Sequence, residues 1–358
     1  MTICYFGIYD PNYSRNRILI KGLRQNNIEV IECNSRLHGI AKYIELAKKH
    51  FKIRKKYDLM IIGFPGYQAV ILAKFLTKKK IIFDAFTSIY DSMVYDRRLA
   101  RPRSLRAIYY WLLDWLSCKL ADKILLDTNA NIEYFVKTFK INRSKFLRVF
   151  VGSDNEVFYP LEQKFEYDYF LVHFHGCYIP LQGIEYIIRA AKILEKENMK
   201  FNLIGRGQTY ENIRRLVEEL KVENINFIDS VPYEELKNYI AEANICLGIF
   251  GTTEKAQRVI PNKVYEYLAM GCPVITGDSP AVRELFNDQQ EMVFCKMGDA
   301  DNLAKKILEL KNNSQLRKTI AKNGYNKFIN NLTPKILGEQ LLKEVNKEIK
   351  NQRINDLY

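Results

Sequence analysis

The sequence predicts an α/β protein made of two doubly wound domains, each a parallel sheet covered by helices. Short apolar runs alternate with longer amphipathic segments along the whole chain, which is the pattern of a parallel sheet with both faces covered. The 358 residues, of which 47% are hydrophobic, suffice for two domains with separate cores. A polar segment without periodicity, residues 152–165, interrupts the alternation and marks the boundary.

Six strands are predicted in each half of the chain. In the first half they are Thr2–Ile8, Ile28–Cys33, Asp58–Gly63, Lys80–Asp84, Lys123–Asp127 and Leu147–Val151. In the second half they are Tyr169–Phe174, Phe201–Ile204, Ile225–Ile228, Ile245–Gly248, Val274–Thr276 and Met292–Phe294. Helices predicted between the first-half strands include Asn16–Gln25, Ile40–His50, Ala69–Leu76 and Leu105–Leu120. Ligands of such sheets bind beyond the carboxyl ends of the strands, so the loops at those ends are candidate sites.

The net charge of +14 lies entirely in the first half of the chain. Residues 1–160 hold 28 Lys and Arg against 14 Asp and Glu, and residues 161–358 hold 27 of each. This asymmetry predicts an anionic partner for the first half: a membrane surface, a phosphorylated acceptor or nucleic acid. The arginines from Arg97 to Arg106 lead into an aromatic helix, whose start we expect at a membrane interface unless the helix only covers the sheet.

The remaining composition predicts a cytoplasmic protein. Seven cysteines without a Cys-x-x-Cys pair favour a reducing compartment. The opening residues form a strand pattern rather than a signal peptide, and no apolar run is long enough to span a bilayer. His173 and His175 alternate along a strand, so we expect them on opposite faces, and we assign no metal.

The segment from Gly248 to Glu284 is the most informative part of the sequence. A strand-like run ends in a small and basic loop that contains Gly251, Lys255 and Arg258. Pro261 suits the first turn of the helix that follows, and Gly271 with Pro273 ends that helix. The segment therefore predicts a strand, a phosphate-sized loop, a helix and a further strand.

Charged residues of this segment suit a nucleotide. Lys263 and Glu266 lie three residues apart near the N-terminus of the predicted helix, which favours an anion. Lys255, Arg258 and Lys263 supply three cations, and Glu266 suits the hydroxyls of a ribose. The residues alone leave open that Lys263 and Glu266 form an ordinary surface pair.

This segment, GIFGTTEKAQRVIPNKVYEYLAMGCPVITGDSPAVRE, resembles the donor-site segment of retaining GT-B glycosyltransferases of family 4, the glycosyl transferases group 1. The resemblance implies that Glu266 binds the nucleotide ribose and that the Pro-Asn-Lys stretch, with Asn262, lies at the donor. The family usually has a glutamate eight residues before this one, where Arg258 stands here. The resemblance thus assigns no residue to the sugar-contacting role of that glutamate.

Two further loops resemble the donor domain of the family. In HGCYIPLQG, Gly176 is expected near the donor phosphates, but Gln182 replaces a lysine that many relatives have before the second glycine. In FNLIGRGQT, Gly205 and Gly207 bracket a turn. In the first half, Asp84 stands where many relatives have a histidine near the sugar, and we expect it to take part in catalysis. Arg15 and Arg17 oppose the dipole of the first helix, so an anion is expected nearby.

The resemblance also implies the domain plan. GT-B enzymes have two Rossmann-like domains that face each other across a cleft. Gly152, Asp154, Phe158 and Pro160 match the segment between the domains. We predict an acceptor-binding domain over residues 1–155, a donor domain over 156–333, and a C-terminal helix over 334–358 that returns to the first domain.

The function implied is hexosyl transfer with retention of configuration, in polysaccharide or glycolipid synthesis. The donor would be a UDP- or GDP-linked sugar, and the acceptor a lipid-linked, glycan or other anionic molecule at the inner face of the membrane. Arg258 and Lys263 would stabilise the leaving diphosphate without a metal or cofactor. Two alternatives remain: a non-catalytic GT-B partner that only binds a nucleotide, and a nucleic-acid-binding or nucleic-acid-modifying protein, for which no recognition helix is visible.

Overall fold

The computed structural model describes residues 1–161 and 167–355, with side chains described as far as residue 347. The chain forms two compact units. The first contains Met1–Val94, Ala100–Gly152 and the residues from Asn331 on, and the second contains Tyr95–Leu99 and Ser153–Asn330. Of the segment predicted to join the domains, residues 162–165 lie outside the described residues, as do the last three residues of the predicted C-terminal helix.

The first unit is built on a parallel sheet of six strands. Their order across the sheet is β2-β1-β3-β4-β5-β6. The strands are β1 (Thr2–Gly7), β2 (Glu29–Asn34), β3 (Leu59–Ile62), β4 (Ile81–Phe86), β5 (Lys123–Leu126) and β6 (Phe146–Arg148). The helices are α1 (Ser14–Gln25), α2 (Ala41–Ile53), α3 (Tyr67–Leu76), α4 (Leu105–Leu120), α5 (Asn129–Phe139) and, at the C-terminus, α13 (Pro334–Asn355).

The helix α13 packs against α1 of this unit. Two glycines make the close approach possible, because a Cβ on Gly338 would lie 2.3 Å from the carbonyl oxygen of Gly22. The Asn26 side chain also donates a hydrogen bond of 2.8 Å to the Lys335 carbonyl. The chain therefore ends its described part on the unit in which it began.

The second unit contains a second parallel sheet of six strands, in the order β12-β11-β10-β7-β8-β9. Its strands are β7 (Phe170–His175), β8 (Met199–Ile204), β9 (Ile225–Ile228), β10 (Ile245–Leu247), β11 (Val274–Gly277) and β12 (Val293–Cys295). Its helices are α6 (Ile184–Ile193), α7 (Tyr210–Leu220), α8 (Leu236–Glu242), α9 (Asn262–Ala269), α10 (Pro280–Arg283), α11 (Ala300–Asn312) and α12 (Ser314–Asn331).

All twelve predicted strands are present, and the α/β fold with two parallel sheets is confirmed. The strand β6 differs most from its prediction, since it ends at Arg148 instead of Val151. The carbonyls of Val149 and Phe150 turn to the guanidinium of Arg15, at 2.6 and 3.1 Å. The strand ends early because these two carbonyls bind the buried Arg15 guanidinium instead of a neighbouring strand.

Candidate functional site

The candidate site lies at the point of the second sheet where the strand order reverses. The strands β7 and β10 are neighbours, with Val172 beside Ile245 and His173 beside Cys246. The chain leaves β7 towards β8 and leaves β10 towards β11, so a crevice forms at their carboxyl ends. The residues predicted to bind the donor follow these strands or the adjacent β8: Gly176, Gly205, Gly251, Lys255, Arg258, Asn262, Lys263 and Glu266.

The helix α9 begins at this crevice with an uncapped N-terminus. Pro261 is the N-cap residue, one position before the helix, with extended backbone and no side-chain hydrogen bond. The first N–H groups of a helix have no partner within the helix, and the N-cap residue Pro261 supplies no side-chain cap for them. From Lys263 to Ala269 every residue of α9 is buried. The helix N-terminus therefore offers unpaired donors and a partial positive charge.

Lys263 is a buried cation beside these donors. Only 4% of its surface is exposed. Its Nζ donates a hydrogen bond of 2.5 Å to Gln182 Oε1 and lies 3.6 Å from the centre of the Phe174 ring. Within the described part of the chain, Gln182 is its one hydrogen-bond acceptor. Burial lowers the pKa of Lys263 well below its ordinary value, although the charge of Glu266 opposes the shift.

Glycines near Lys263 bring the loops together. A Cβ on Gly176 would lie 2.8 Å from Lys263 Nζ, so a side chain there would displace the ammonium. A Cβ on Gly205 would lie 2.2 Å from the Gly176 carbonyl oxygen, and one on Gly251 would lie 2.5 Å from that of Pro180. In this structure the space left by Gly205 and Gly251 admits neighbouring backbone, and their predicted contact with phosphate stays a prediction.

Glu266 is buried against a pair of histidines. His175 Nε2 lies 2.8 Å from Glu266 Oε2, and His173 Nε2 lies 3.0 Å from His175 Nδ1. The expectation that the two histidines face opposite sides is wrong, because residues two apart on a strand share one face. Burial lowers the pKa of both histidines well below the ordinary value, and the charge of Lys263 adds to the shift.

The other two predicted cations are less buried than Lys263. Thr253 caps a short 3-10 helix, Glu254–Gln257, by accepting a hydrogen bond of 3.3 Å from the Ala256 N–H. Lys255 lies within this helix and is half-buried. Arg258 follows the helix, and its Nη1 lies 3.7 Å from Glu254 Oε2. Asn262 is half-buried at the first position of α9.

Asp84 belongs to the first unit, where it is fully buried with Arg15. The Nε atom of Arg15 lies 3.1 and 3.0 Å from the two carboxylate oxygens, and its Nη2 lies 3.0 Å from Oδ1. Burial lowers the pKa of the Arg15 guanidinium, but the charge and hydrogen bonds of Asp84, together with the charges of Asp127 and Tyr5, raise it above the ordinary value. The anion expected near Arg15 is this carboxylate. A catalytic role for Asp84 stays a prediction.

A second buried carboxylate of the first unit was not identified from the sequence. Asp114 of α4 accepts hydrogen bonds from Ser88 Oγ at 2.6 Å and from the N–H groups of Ile89 and Tyr90. Burial raises its pKa to about 7. Its spacing on α4 is that of an ordinary core position, so no sequence signal marks it. The histidine pair, in contrast, could have been found from the rule that positions two apart share a face.

The described residues contain no group of three or more His, Cys, Asp or Glu that could hold a metal ion. Among residues 1–161 and 167–355, no helix is both long and apolar enough to cross a membrane.

Comparisons with known proteins show which proteins this chain is similar to. Residues 160–327 match the family model of glycosyl transferases group 1. An uncharacterised glycosyltransferase of Methanocaldococcus jannaschii is 26% identical over 51% of this chain and 48% of its own length. A chitobiosyldiphosphodolichol beta-mannosyltransferase of Kluyveromyces lactis is 22% identical over 77% of this chain and 71% of its own. The match spans about half the length of the Methanocaldococcus and Haemophilus relatives.

Solved structures with the same fold cover nearly the whole chain. A sucrose-phosphate synthase from Thermosynechococcus elongatus superposes with a TM-score of 0.78 at 13% identity, over 98% of this chain and 100% of that one. Anabaena HepE in complex with UDP-glucose superposes with a TM-score of 0.73 at 14% identity, over 97% and 100%. The chain therefore has the GT-B fold, and its residues 160–327 match the glycosyl transferases group 1.

Proposed function

We propose that this protein is a glycosyltransferase that moves a sugar from a nucleotide sugar to an acceptor. The observation that carries the proposal is the juxtaposition on α9 of a buried ammonium and a buried carboxylate three residues apart. Among the described residues, Lys263 has one neutral acceptor, and it lies beside helix N–H groups that the N-cap residue does not cap. A nucleoside diphosphate has the complementary parts: an anion for the cation and hydroxyls for the carboxylate.

The diphosphate of the donor would bind at the N-terminus of α9. There it would accept hydrogen bonds from the N–H groups of Asn262 and Lys263 and from the Lys263 ammonium. The loop of Gly251 and Lys255 would close over it, and Arg258 would add a second cation. As the bond between the sugar and the diphosphate breaks, negative charge grows on the leaving oxygen, and these groups stabilise that charge.

We further propose that the transfer retains the configuration of the sugar and needs no metal. The bond from the anomeric carbon to the phosphate oxygen breaks, and the acceptor hydroxyl oxygen bonds to the same face of that carbon. The hydroxyl proton passes to the leaving diphosphate oxygen, so no protein base is required. Nuclear magnetic resonance of the product tests this: inversion at the anomeric carbon, or activity that a chelator abolishes, would contradict it.

The donor proposed is a UDP- or GDP-linked hexose, and the acceptor is a lipid-linked or glycan molecule. The names of the relatives support this choice, since one acts on a dolichol-linked chitobiose and another serves capsular polysaccharide biosynthesis in Staphylococcus aureus. The latter is 23% identical over 75% of this chain and 71% of its own length. These activities belong to those proteins, and for this chain they define the substrates to test.

A stripe of exposed apolar residues on α4 supports docking on an anionic membrane at the cytoplasmic face. Leu105, Ile108, Tyr109 and Leu112 lie on one side of the helix and are all exposed, Leu105 to 86%. Arg101, Arg103 and Arg106 are exposed beside the start of the stripe. The other side of α4 is core and carries the buried residues Ala107, Leu113, Asp114, Ser117 and Cys118. Apolar residues flanked by arginines suit the headgroup region of a bilayer.

A thermal-shift panel of UDP, GDP and ADP, followed by transfer assays with the matching sugars, tests the proposed function. A nucleotide present at a hundredfold excess over its Kd stabilises the fold by about 2.7 kcal/mol. Binding followed by turnover, with hydrolysis in the absence of acceptor, is the expected result. Binding without either reaction would identify a non-catalytic partner. Binding of DNA or RNA at physiological salt, without nucleotide binding, would refute the proposal.

Co-sedimentation with vesicles tests the membrane proposal. Phosphatidylcholine vesicles that contain phosphatidylglycerol should bind the protein, and binding should weaken as salt rises. Replacing Arg101, Arg103 and Arg106 by Glu should abolish it, since each basic residue contributes about 1 kcal/mol. Replacing Lys52, Lys55 and Lys56 by Glu is the matched control, because it changes the net charge equally at exposed lysines of the same unit that lie at the end of α2. A triple variant that still sediments would contradict the proposal.

A further inference from the structure

We infer that His173 and His175 are positioning residues, which fix the carboxylate of Glu266 for the hydroxyls of the donor ribose. This inference rests on the proposed function, because it gives Glu266 its ligand. The three side chains form one hydrogen-bonded chain, of 3.0 Å between the histidines and 2.8 Å from His175 to Glu266. Resemblance to the family assigns a role to Glu266 and none to either histidine.

The positions of the protons in this chain follow from its two ends. A carboxylate only accepts hydrogen bonds, so Nε2 of His175 must carry a proton and donate it to Glu266. A neutral imidazole has one N–H, which leaves Nδ1 of His175 as an acceptor. His173 Nε2 must therefore donate to it. Both histidines are then neutral and protonated at Nε2.

The far end of the chain agrees with this assignment. Nδ1 of His173 is buried and has no hydrogen-bond partner among the described residues. In the assigned state this atom carries a lone pair, and a buried lone pair without a partner is tolerated better than a buried N–H. The opposite direction of donation would leave an N–H unpaired at this end and direct a lone pair of His175 at the carboxylate of Glu266.

The consequence is that His173 acts on Glu266 through His175. Without the donor on His173, the protonation of His175 is no longer fixed, and its other tautomer repels the carboxylate. Among the described residues, the titratable groups that face His175 are His173, Glu266, Lys263 and Tyr267. The Tyr267 hydroxyl accepts a hydrogen bond of 3.3 Å from the backbone N–H of His175. Protonation of His175 is opposed by burial and by the charge of Lys263, so the assigned neutral state holds at pH 7.

Binding of the diphosphate of whichever nucleoside the protein prefers, compared with its 2′,3′-dideoxy form, tests the inference. The Kd of the dideoxy form divided by the Kd of the ribose form reports how well the site recognises ribose hydroxyls. His173→Leu should lower this ratio by about three- to tenfold, the effect of one neutral hydrogen bond. His173→Gln keeps a donor near Nε2 and should restore the ratio. His50→Leu is the control, because His50 is equally buried in the first unit and bonds to Tyr57 at 2.7 Å.

The results separate the inference from the proposed function. Wild type that binds no nucleotide would overturn the proposed function. Glu266→Gln with an unchanged ratio would overturn the inference, because the ribose would then bind elsewhere. A ratio that collapses in Glu266→Gln but stays unchanged in His173→Leu would overturn the inference alone. Nitrogen-15 spectra of the unliganded wild type give a further test. Both histidines should carry the proton at Nε2 at pH 7, and a proton at Nδ1 of His175 would contradict the chain.

Discussion

The two units have similar parallel sheets, but the buried cation near the carboxyl ends of the strands has a different set of partners in each. In the first unit, Arg15 is fully enclosed by a carboxylate and two carbonyls, all supplied by the protein. In the second unit, Lys263 has one neutral acceptor, Gln182, and the face of Phe174. Burying a charge is unfavourable unless it is paired.

The difference supports a structural role for Arg15 and the proposed binding role for Lys263. Arg15 has its counter-charge in Asp84 and holds the end of the β-sheet, so an added anion would compete with the protein. The Lys263 ammonium keeps donor capacity that no described acceptor uses, beside the uncapped N-terminus of α9. An incoming diphosphate would complete its hydrogen bonds. The four predictions below break or sharpen this contrast, in order of decreasing effect.

Removal of Arg15 from its buried pair with Asp84 should cause the largest loss of stability. Arg15→Met leaves Asp84 as an uncompensated buried charge and should lower the free energy of unfolding by about 3–5 kcal/mol, measured by urea denaturation. The double variant Arg15→Met/Asp84→Leu should recover most of the loss. If that double variant also transfers sugar, Asp84 is not catalytic. A single variant as stable as wild type would show that the pair contributes nothing.

Removal of Lys263 should affect the rate of sugar transfer instead of the stability of the fold. Lys263→Met should destabilise the unliganded protein much less than Arg15→Met, because Glu266, the opposite charge nearby, keeps its hydrogen bond from His175. Transfer should slow by about 10²–10³, as for other groups that stabilise a developing charge. Arg258→Met should behave similarly in the transfer assay. Nucleoside monophosphate should bind both variants nearly as well as wild type, and equal loss for monophosphate and diphosphate would exclude the phosphate role.

Loss of the carboxylate should affect the nucleoside end of the same ligand. Glu266→Gln removes charge-assisted hydrogen bonds worth about 1.5–3 kcal/mol, so the Kd of the nucleotide should rise about ten- to a hundredfold. Titration calorimetry measures this, with circular dichroism to verify the fold. An unchanged Kd would place the ribose elsewhere and leave Glu266 with a structural role only.

The histidine pair should make stability depend on pH in a defined direction. The folded-state pKa values of His173 and His175 lie well below the ordinary value of 6.5. As the pH falls below about 6.5, the unfolded chain takes up protons that the folded chain does not, so stability is lost by up to about 1.4 kcal/mol per pH unit and histidine. Urea unfolding at pH 7.5 and pH 5.5 should show a smaller difference in His173→Leu than in wild type.

The sequence by itself determined the fold class and singled out the segment of the candidate site. Short apolar runs that alternate with amphipathic segments specify a parallel sheet covered by helices. The reason is that strands buried on both faces of a sheet have nearly continuous apolar sequences. The α4 boundaries match their prediction because Ser104 caps the helix locally, by accepting from the Ala107 N–H at 3.2 Å. The charges of the segment from Gly248 to Glu284 predict an anion site at the N-terminus of α9, because the partial charge of a helix N-terminus is a local property.

Only the tertiary structure decided which groups pair with one another. Arg15 and Asp84 are 69 residues apart, Gln182 and Lys263 are 81 apart, and His175 and Glu266 are 91 apart. Local spacing carries no information on such pairs, since their geometry depends on which strands become neighbours and how closely the loops at Gly176, Gly205 and Gly251 approach. The sheet order makes β7 and β10 neighbours. This arrangement places the histidines of β7 beside Glu266 and leaves Lys263 with Gln182 as its acceptor among the described residues.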